Sequence, residues 1–558
     1  MEANYPRPAK SVRDFSTWKG KSLFKRNAYL LLTVFAAGMT GLGVELSASR
    51  LLDPFFGNSI VIWANVIGLV LIYLSAGYWI GGRWADRDPR ETTLYQITAW
   101  AAFGVGIIPF VAAPLLRWSV QGFADFNAGA LLASLFGVLV LFSAPMTLLG
   151  CVSPFAIRLA LRDVQHSGNV AGSVYALGTL GSILGTFLPV LVLIPNLGTR
   201  RTFLFFSLLL LVISLAGLLR RSRRLVLYYL WMPLLIGLMA LFWSAGPIRA
   251  DEDTVYETES MYNYIRVTRH GDQGDDYWLR LNDGVGIHSV YNPHTVLTYG
   301  IWDYFLMAPY FNAPPHTADQ VHNMLLIGLA GGTVSTIYSA VYGDIPIDGV
   351  EIDPQIIAVG RRWFAMNQPN LNAVAADGRY FLATANGRYD VIGVDAYRPP
   401  YIPFHLTTAE FFQQVHDHLN PDGVVAVNVA RSETDYALVN ALASTMQAVF
   451  PGVYVLDEPA LGQFTGNSLV VATMQPTLAS NLAANAGLMT NPLLQAVADR
   501  SLAARLWEVR CTGGVGWQPA SSSTTGVPVD GCVAPFTDDR APVEQVVHRL
   551  ILRYVLGY

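Results

Sequence analysis

The chain has 558 residues, of which 52% are hydrophobic and only 14% are charged, whereas an ordinary soluble protein carries about 25% charged residues. This deficit excludes a disordered chain and a fully soluble one. The formal net charge of −4 offers no basic surface to a nucleic acid partner. Three cysteines exclude a disulfide-framework fold and a cysteine-rich metal site.

The hydrophobic residues are concentrated between residues 29 and 245, in runs of about 20 residues, the length of a helix that crosses a bilayer. The first run follows a polar lead and contains a glutamate, so it is not a cleaved signal peptide. The sequence predicts seven spans, at 28–52, 59–82, 94–117, 127–150, 170–195, 202–219 and 225–245. An additional or re-entrant span within 143–163 would change this number.

Lysine and arginine accumulate on the cytoplasmic side of membrane proteins. Sixteen of them flank the predicted spans on the side of the N-terminus and five flank the other side. We therefore expect an integral protein of the inner or plasma membrane, in contact with the lipid bilayer, with a cytoplasmic N-terminus. Seven spans place the region after residue 246 outside the cytoplasm.

Two features inside the spans have alternative interpretations. Gly181 and Gly185 form a GxxxG step, which favours close packing of helices within the bundle and leaves a homodimer interface as the alternative. Glu45 lies within the first span, where an ionised carboxylate is costly, so we expect it to face the bundle interior with a partner. A hydrogen bond there is the simpler interpretation, and a transport role is the alternative.

After residue 245 the apolar runs shorten to strand length. Segment 255–310 alternates and contains the turn Asn282-Asp283-Gly284, which predicts β-hairpins. From residue 321 strands and helices alternate, which predicts a Rossmann-like α/β domain whose ligands bind beyond the carboxyl ends of the strands. The predicted strands are 322–328, 346–352, 371–376, 389–395, 423–429, 453–457 and 467–473, and the predicted helices include 354–365, 408–419 and 433–449.

Four successive strands end in residues suited to a nucleoside ligand. The first ends in a turn with small residues at Gly328, Ala330 and Gly332, which lets a ligand approach the backbone. Glu351 ends the second strand, where a carboxylate accepts hydrogen bonds from ribose hydroxyls. Asp377 and Gly378 end the third, where the aspartate can accept from an adenine amino group, and Asp395 ends the fourth. An S-adenosyl ligand fits this pattern better than NAD, because nothing after Asp377 resembles the second half of a dinucleotide site.

At this point the sequence resembles the spermidine synthase (polyamine aminopropyltransferase) family, and specifically its membrane-fused bacterial members. The resemblance covers most of the chain, including the Gly77–Asp86 stretch of the second span. In the C-terminal region it rests on segments Ser260–Val267, Leu281–Gly284, Gly328–Thr333, Glu351–Asp353, Asp377–Gly378, Tyr389–Asp395, Pro403–Phe412 and Phe536–Glu544.

The resemblance implies transfer of an aminopropyl group from decarboxylated S-adenosylmethionine, or a related S-adenosyl compound, to a small-molecule amine, without a metal. It implies that Glu351 binds the ribose, Asp377 the adenine, and that Asp395 orients or deprotonates the amine. Asn263 stands where the family often has a glutamine near the donor, and Tyr299 lies near the family's tyrosine. Asp395 and Tyr299 are thus the expected catalytic residues.

The residues expected to bind the acceptor amine differ from those of the family. The family's acidic stretch reads Tyr291-Asn292-Pro293-His294-Thr295 here, and Arg398 stands near the position of its second aspartate. Cys511 and Cys532 flank a Gly/Ser/Thr/Pro-rich loop, and either a disulfide or two separate thiols fits the sequence. These features leave open an alternative, a catalytically inactive extracytoplasmic domain that serves as a scaffold or accessory subunit of a membrane complex.

The expected organisation thus combines an N-terminal transmembrane helical bundle with a C-terminal Rossmann-like, spermidine-synthase-type domain. The expected parts are a cytoplasmic tail at 1–26, the bundle at 27–246, a β-hairpin subdomain at 247–315, the S-adenosyl-binding domain at 316–480 and a helical C-terminal segment with a Gly/Ser/Pro-rich loop at 481–558.

Overall fold

The chain divides into two compact units. One consists of residues 1–48, 65–112 and 138–245, and the other of residues 49–64, 113–137 and 246–558. The computed structural model describes residues 20–56, 60–122, 129–161, 167–243, 253–271, 274–282, 286–397, 402–458, 466–511, 516–521, 523–524, 526–547 and 549. Most of the predicted N-terminal tail, Arg398 and the Asp283-Gly284 part of the predicted turn lie outside these residues.

The N-terminal helices are rich in apolar residues. They are α1 Gly20–Phe56, α2 Ile60–Arg87, α3 Glu91–Gly122, α4 Gly129–Gly150, α5 Val152–Ala160, α6 Ser167–Leu188, α7 Ile194–Leu197, α8 Thr199–Arg221, α9 Arg223–Leu227 and α10 Trp231–Trp243.

Seven helical segments within the described residues are long and apolar enough to cross a membrane. Because α4 and α5 belong to one of them, the described residues supply no additional span within 143–163. The predicted number of apolar helices is therefore confirmed, while their insertion in a bilayer stays a prediction. The segments are Asn27–Phe56, Ile62–Arg87, Glu91–Ser119, Leu132–Ala160, Ser167–Leu197, Thr199–Arg221 and Arg223–Phe242.

The glycines of α6 pack against α1 inside the first unit. A Cβ atom on Gly181 would lie 2.0 Å from the carbonyl oxygen of Phe35, and one on Gly185 would lie 2.2 Å from that of Met39. The GxxxG step thus brings two helix backbones of the same chain together, as the packing interpretation predicts. Glu45 is half-buried in α1, and no hydrogen bond joins its carboxylate to another described residue.

The second unit contains two sheets, eight α-helices and three short 3-10 helices among its described residues from 253 onward. The hairpin segment forms the four-stranded antiparallel sheet β1 Thr254–Glu259, β2 Tyr264–His270, β3 Asp276–Leu281 and β4 Ser289–Tyr291. The larger sheet contains β5 Met324–Ile327, β6 Ile347–Glu351, β7 Leu371–Ala375, β8 Tyr389–Val394, β9 Leu419–Arg431, β10 Gly452–Asp457, β11 Gly466–Thr473, β12 Leu506–Arg510 and β13 Gly516–Pro519.

The larger sheet has nine strands in the order β13-β12-β10-β11-β9-β8-β5-β6-β7. The five strands from β9 to β7 are parallel, and the other four are antiparallel. Strands β12 and β13 lie in the C-terminal segment, for which the sequence predicted only helices. This region is short in apolar runs. Its strands are stabilised by pairing, β12 with β10 and β13 with β12, rather than by a pattern of their own.

Helices cover both faces of the large sheet, because alternate residues of its strands are buried on opposite sides. The helices are α11 Ile301–Tyr304, α12 Thr333–Tyr342, α13 Pro354–Trp363, α14 Gly378–Thr384, α15 Ala409–Asp417, α16 Ala437–Gln447, α17 Ser480–Ala486 and α18 Pro492–Ala503. Leu325 and Ile327 of β5 pack with α15 and α16, whereas Met324 and Leu326 pack with α12, α17 and α18.

Candidate active site

The turn after β5 has a backbone shape that only small residues adopt easily. Gly328, Ala330 and Gly332 all have positive φ, at 91°, 48° and 88°. A Cβ atom on Gly328 would lie 2.5 Å from the carbonyl oxygen of Asp395, so any larger residue would separate β5 from the end of β8. The predicted turn residues are thus brought together, next to the end of the neighbouring strand.

Glu351 ends β6 and faces this turn. Its Oε2 atom accepts a hydrogen bond from the amide of Ala330 at 3.0 Å, and its Oε1 atom accepts one from the amide of Asp353 at 3.2 Å. The residue is only 8% exposed, and this burial raises the pKa of Glu351 to about 7. A carboxylate held in this way keeps lone pairs for a ligand that carries hydroxyl donors.

Asn263 lies in a buried network rather than on its own. Its Nδ2 atom donates to Oδ2 of Asp353 at 3.0 Å, and its Oδ1 atom accepts from Nδ2 of Asn282 at 3.1 Å. Ser260 also donates to Asp353, which caps α13 by accepting from the amide of Gln355. The network ties the hairpin sheet to the helix that follows Glu351, so a direct contact between Asn263 and a ligand stays a prediction.

Asp377 follows β7 and is the N-terminal cap of α14. Its Oδ1 atom accepts from the amides of Arg379 and Tyr380, each at 3.0 Å. Its Oδ2 atom lies 3.0 Å from Nε2 of His405, a contact that the sequence did not predict. A Cβ atom on Gly378 would lie 2.3 Å from Cγ2 of Ile327, so the glycine lets α14 approach β5.

Asp395 follows β8 and is held by two donors. Its Oδ2 atom accepts from the indole Nε1 of Trp302 at 2.9 Å, and its Oδ1 atom accepts from Nδ2 of Asn428 at 2.8 Å. Burial raises the pKa of Asp395 to about 7, although these two hydrogen bonds favour the charged form. Sequence reasoning missed both donors. Asn428 could have been found from the parallel pairing of β8 with β9. This pairing places Val394 opposite Val427, so the next residues, Asp395 and Asn428, are neighbours.

The side-chain amide of Asn428, which donates to Asp395, also carries an oxygen that accepts no hydrogen bond from the described residues. Asn428 is 6% exposed, and its Oδ1 atom has no hydrogen-bond partner among the described residues. A buried acceptor without a partner costs free energy unless a ligand or water donates to it. The vicinity of Asp395 is therefore suited to a group with several donor hydrogens.

Tyr299 has a strained backbone and an exposed side chain. Its φ is 59°, and it is 65% exposed. Its amide donates to Oδ2 of Asp303 at 2.8 Å, and the guanidinium of Arg500 lies 4.9 Å from its ring centroid. No described contact joins Tyr299 to Asp395, so its expected catalytic part stays a prediction.

Glu458 is a carboxylate that sequence reasoning missed. It follows β10 directly, so its position at a strand end was the available signal. A Cβ atom on Gly300 would lie 3.5 Å from Oε1 of Glu458 and 3.6 Å from Cε3 of Trp302. Burial raises the pKa of Glu458 above its ordinary value. Gly300 thus lies close to both Glu458 and Trp302, and Trp302 contacts Asp395 through its indole nitrogen.

No group of three or more histidine, cysteine, aspartate or glutamate residues suited to a metal occurs within the described part of the chain. The polar groups at the strand ends are carboxylates, amides and an indole. Such groups suit a ligand with hydroxyl and amino donors beside Glu351 and Asp377 and a cationic group beside Asp395.

Comparisons of the sequence with known proteins indicate the family that it resembles. Residues 314–476 match the family model of the spermine/spermidine synthase domain. A probable polyamine aminopropyl transferase of Bifidobacterium longum is 31% identical over 53% of this chain and 62% of its own length. A polyamine aminopropyltransferase of Vibrio vulnificus is 27% identical over 43% of this chain and 79% of its own length.

Among solved structures, a probable spermidine synthase of Corynebacterium glutamicum aligns with 49% of this chain and 96% of its own length. The sequence identity is 21% and the TM-score is 0.38. The alignment with the Bifidobacterium relative spans less than two thirds of that protein. The predicted resemblance of the C-terminal region to the spermidine synthase family is confirmed by the match of residues 314–476 to the spermine/spermidine synthase domain.

Proposed function

We propose that the chain is a membrane-bound aminopropyltransferase that uses decarboxylated S-adenosylmethionine and an amine acceptor. One observation carries the proposal: the turn after β5 lies against the ends of both neighbouring strands, since the carboxylate of Glu351 accepts a hydrogen bond from the amide of Ala330 and the backbone carbonyl of Asp395 lies beside Gly328. The names of the relatives, which are polyamine aminopropyltransferases, support the same reaction class.

On the donor side, Glu351 would accept hydrogen bonds from the ribose hydroxyls, and Asp377 would accept one from the adenine amino group. The turn at Gly328, Ala330 and Gly332 brings backbone rather than side chains to the ligand. Because the amides of Ala330 and Asp353 already orient Glu351, little reorganisation accompanies binding.

On the acceptor side, Asp395 would take a proton from the ammonium group, which frees the nitrogen lone pair. The nitrogen then attacks the aminopropyl carbon bonded to sulfur, a carbon–nitrogen bond forms and the carbon–sulfur bond breaks with its electron pair going to sulfur. The products are an aminopropylated amine and neutral methylthioadenosine. The sulfonium is a good leaving group, so the protein contributes alignment and the proton acceptor.

Calorimetry on the purified full-length protein tests the donor site. We expect methylthioadenosine and decarboxylated S-adenosylmethionine to bind, and Glu351→Ala to abolish detectable binding of both. Glu433→Ala is the matched control, because Glu433 is exposed and lies outside the site. Absence of binding to the wild-type protein, or unchanged binding in Glu351→Ala, would refute the proposal.

Membrane insertion is supported by the outward apolar side chains of the first unit, such as Leu241 and Phe242, which are 79% and 83% exposed. In a soluble protein such residues would expose a large apolar surface to water. Insertion of all seven apolar segments would leave the two ends of the chain on opposite sides of the membrane, with the N-terminus cytoplasmic.

The disulfide between Cys511 and Cys532 favours the second candidate, an extracytoplasmic and catalytically inactive domain that serves a membrane complex. A reporter fused after residue 558 separates the two. A cytoplasmic signal would contradict the second candidate, whereas an extracytoplasmic signal combined with no ligand binding would support it over the transferase.

A further inference from the structure

A C-terminal segment lies against α15 and α16. We call residues 531–540 the C-terminal strap. Its backbone is held by side chains of α16: Nδ2 of Asn440 donates to the carbonyl of Gly531, and the amides of Val533 and Phe536 donate to Ser444 and Thr445. The carbonyl of Phe536 also accepts from the amide of Ala409 at the start of α15. The strap is thus fixed independently of its charged residues.

Asp538 is the residue of the strap with the most side-chain contacts toward the site. Both of its carboxylate oxygens accept from the two terminal nitrogens of Arg379, each at 2.7 Å. Its Oδ1 atom also accepts from Thr408 at 2.7 Å, and its amide donates to Glu410. The bidentate bond to Arg379 holds the pKa of Asp538 below its ordinary value.

Arg379 extends this arrangement to the candidate adenine position. Its Nη1 atom also donates to the carbonyl oxygen of His405 at 3.1 Å, and its Nε atom donates to Gln414 at 3.2 Å. His405 in turn lies 3.0 Å from Oδ2 of Asp377. One guanidinium therefore connects Asp538 with the backbone of the histidine that contacts Asp377.

The chain of contacts from Asp538 to His405 is relevant to ligand binding because few lone pairs of Asp377 remain available to a ligand. A carboxylate has about four acceptor positions. Two backbone amides occupy Oδ1 and His405 occupies one position on Oδ2, which leaves one position on Oδ2. The direction of that remaining position depends on where His405 lies, since both bonds share the same oxygen.

We propose that Asp538 is a positioning residue that acts through Arg379 and His405 to direct the remaining acceptor position of Asp377 toward the 6-amino group of an adenine. The inference rests on the proposed function, because it assumes an adenosyl ligand. It assigns to Asp538 of the strap a part in ligand discrimination that neither its residue type nor its position in the sequence reveals.

The test compares methylthioadenosine with methylthioinosine, which carries an oxygen in place of the 6-amino group. A site built to accept a hydrogen bond from that amino group discriminates strongly against the analogue. We expect the wild-type protein to bind methylthioadenosine about 100-fold more tightly, and Asp538→Asn to reduce this ratio to below about tenfold. Loss of overall folding alone would weaken both ligands without changing their ratio.

Asp539→Asn is the matched control, since it changes the same side chain one residue along the strap at an exposed position. It should keep the wild-type ratio. Asp538→Glu, which retains the carboxylate, should recover part of the discrimination. If Asp538→Asn does not fold, Arg379→Lys, which keeps the charge but removes the bidentate geometry, serves for the same measurement. A wild-type ratio in the folded variant would overturn the inference.

Hydrogen exchange without a ligand separates this inference from the proposed function. We expect Asp538→Asn to increase exchange at the amides of Leu406 and Thr407, which flank His405 in sequence, but not in β10. If the wild-type protein binds neither nucleoside, the proposed function fails, and exchange alone decides whether Asp538 orders His405. Unchanged exchange at these amides would overturn the positioning role.

Discussion

The amide of Ala330 lies 3.0 Å from Oε2 of Glu351 and donates a hydrogen bond to it. Ala330 has a φ of 48°, so the turn after β5 is shaped to direct this amide at the end of the adjacent strand. The carboxylate is consequently both buried and oriented before a ligand arrives. This relationship joins the glycine-rich turn and the acidic strand end, which the sequence presents as two separate signals, into one site.

The first prediction concerns the dependence of stability on pH. The pKa of Glu351 is raised from 4.5 to about 7, so the folded chain retains this proton over a range where the unfolded chain loses it. The free energy of unfolding should therefore fall as pH rises from about 4.5 to about 7. The contribution of Glu351 is at most roughly 3 kcal/mol.

Glu351→Gln cannot ionise, so its thermal unfolding midpoint should fall less across this pH range than that of the wild type, even though ligand binding is lost. Glu433→Gln, at an exposed position, should keep the wild-type pH dependence. An identical pH dependence in Glu351→Gln and the wild type would show that Glu351 does not carry the shifted titration.

The second prediction concerns the proton acceptor. Because the pKa of Asp395 is raised to about 7, the rate of transfer should increase with pH through about 7, as the carboxylate ionises. Trp302→Phe keeps an aromatic ring but removes the hydrogen bond to Oδ2, which stabilises the charged form by about 1.5–3 kcal/mol. The acid limb of the pH–rate profile should then move to higher pH by about one to two units.

Measuring kcat and the donor dissociation constant separately in variants of Asp395 and of Glu351 distinguishes the two residues. Of the two, Glu351 contacts the donor in the proposed function and Asp395 does not. A pH–rate profile of Trp302→Phe that coincides with that of the wild type would contradict the part assigned to the indole.

The third prediction concerns the disulfide. Cys511 and Cys532 are 21 residues apart, and a bridge over a loop of this length contributes about 3 kcal/mol by restricting the unfolded chain. Replacing both by alanine should lower the unfolding free energy by about this amount in denaturant titrations. A reductant should destabilise the wild-type protein but have no further effect on the double variant. Equal sensitivity of both proteins to the reductant would argue against the bridge.

The fourth prediction concerns the contact between α1 and α6. Gly181→Ala places a methyl group 2.0 Å from the carbonyl oxygen of Phe35, a distance that forces the helices apart. We expect about 1–3 kcal/mol of destabilisation, seen as a lower unfolding midpoint in detergent. Gly172→Ala lies on the same helix with no atom within 4 Å of the new methyl group. It should be neutral, and similar midpoints for the two variants would contradict the close contact.

The parts of the fold that composition and periodicity determine could be predicted. The seven apolar helices follow from hydrophobicity alone, and strands β5 to β8 follow from apolar runs that end in Gly328, Glu351, Asp377 and Asp395. Strands β12 and β13 could not be predicted in the same way, because β12 pairs with β10, which is distant in sequence, and β13 joins the sheet only through β12. Their flanks are also rich in glycine and serine.

The side chains that surround the predicted carboxylates were the least predictable part of the site. Trp302 reaches Asp395 from a segment 93 residues away, and the contact depends on how α11 packs on the sheet. His405 reaches Asp377 from a short 3-10 helix, Phe404–Leu406, before α15. Such contacts depend on tertiary packing, whereas a strand-end position such as that of Glu458 can be read from the order of the strands.

The most direct test of the central claim is the release of methylthioadenosine from decarboxylated S-adenosylmethionine by the full-length protein, because this product is the same for every acceptor. With a panel of amines at about pH 8, where an acid of pKa about 7 is ionised, we predict amine-dependent release that Asp395→Asn reduces by about 10² or more. Release that no amine stimulates, or that Asp395→Asn leaves unchanged, would contradict the account.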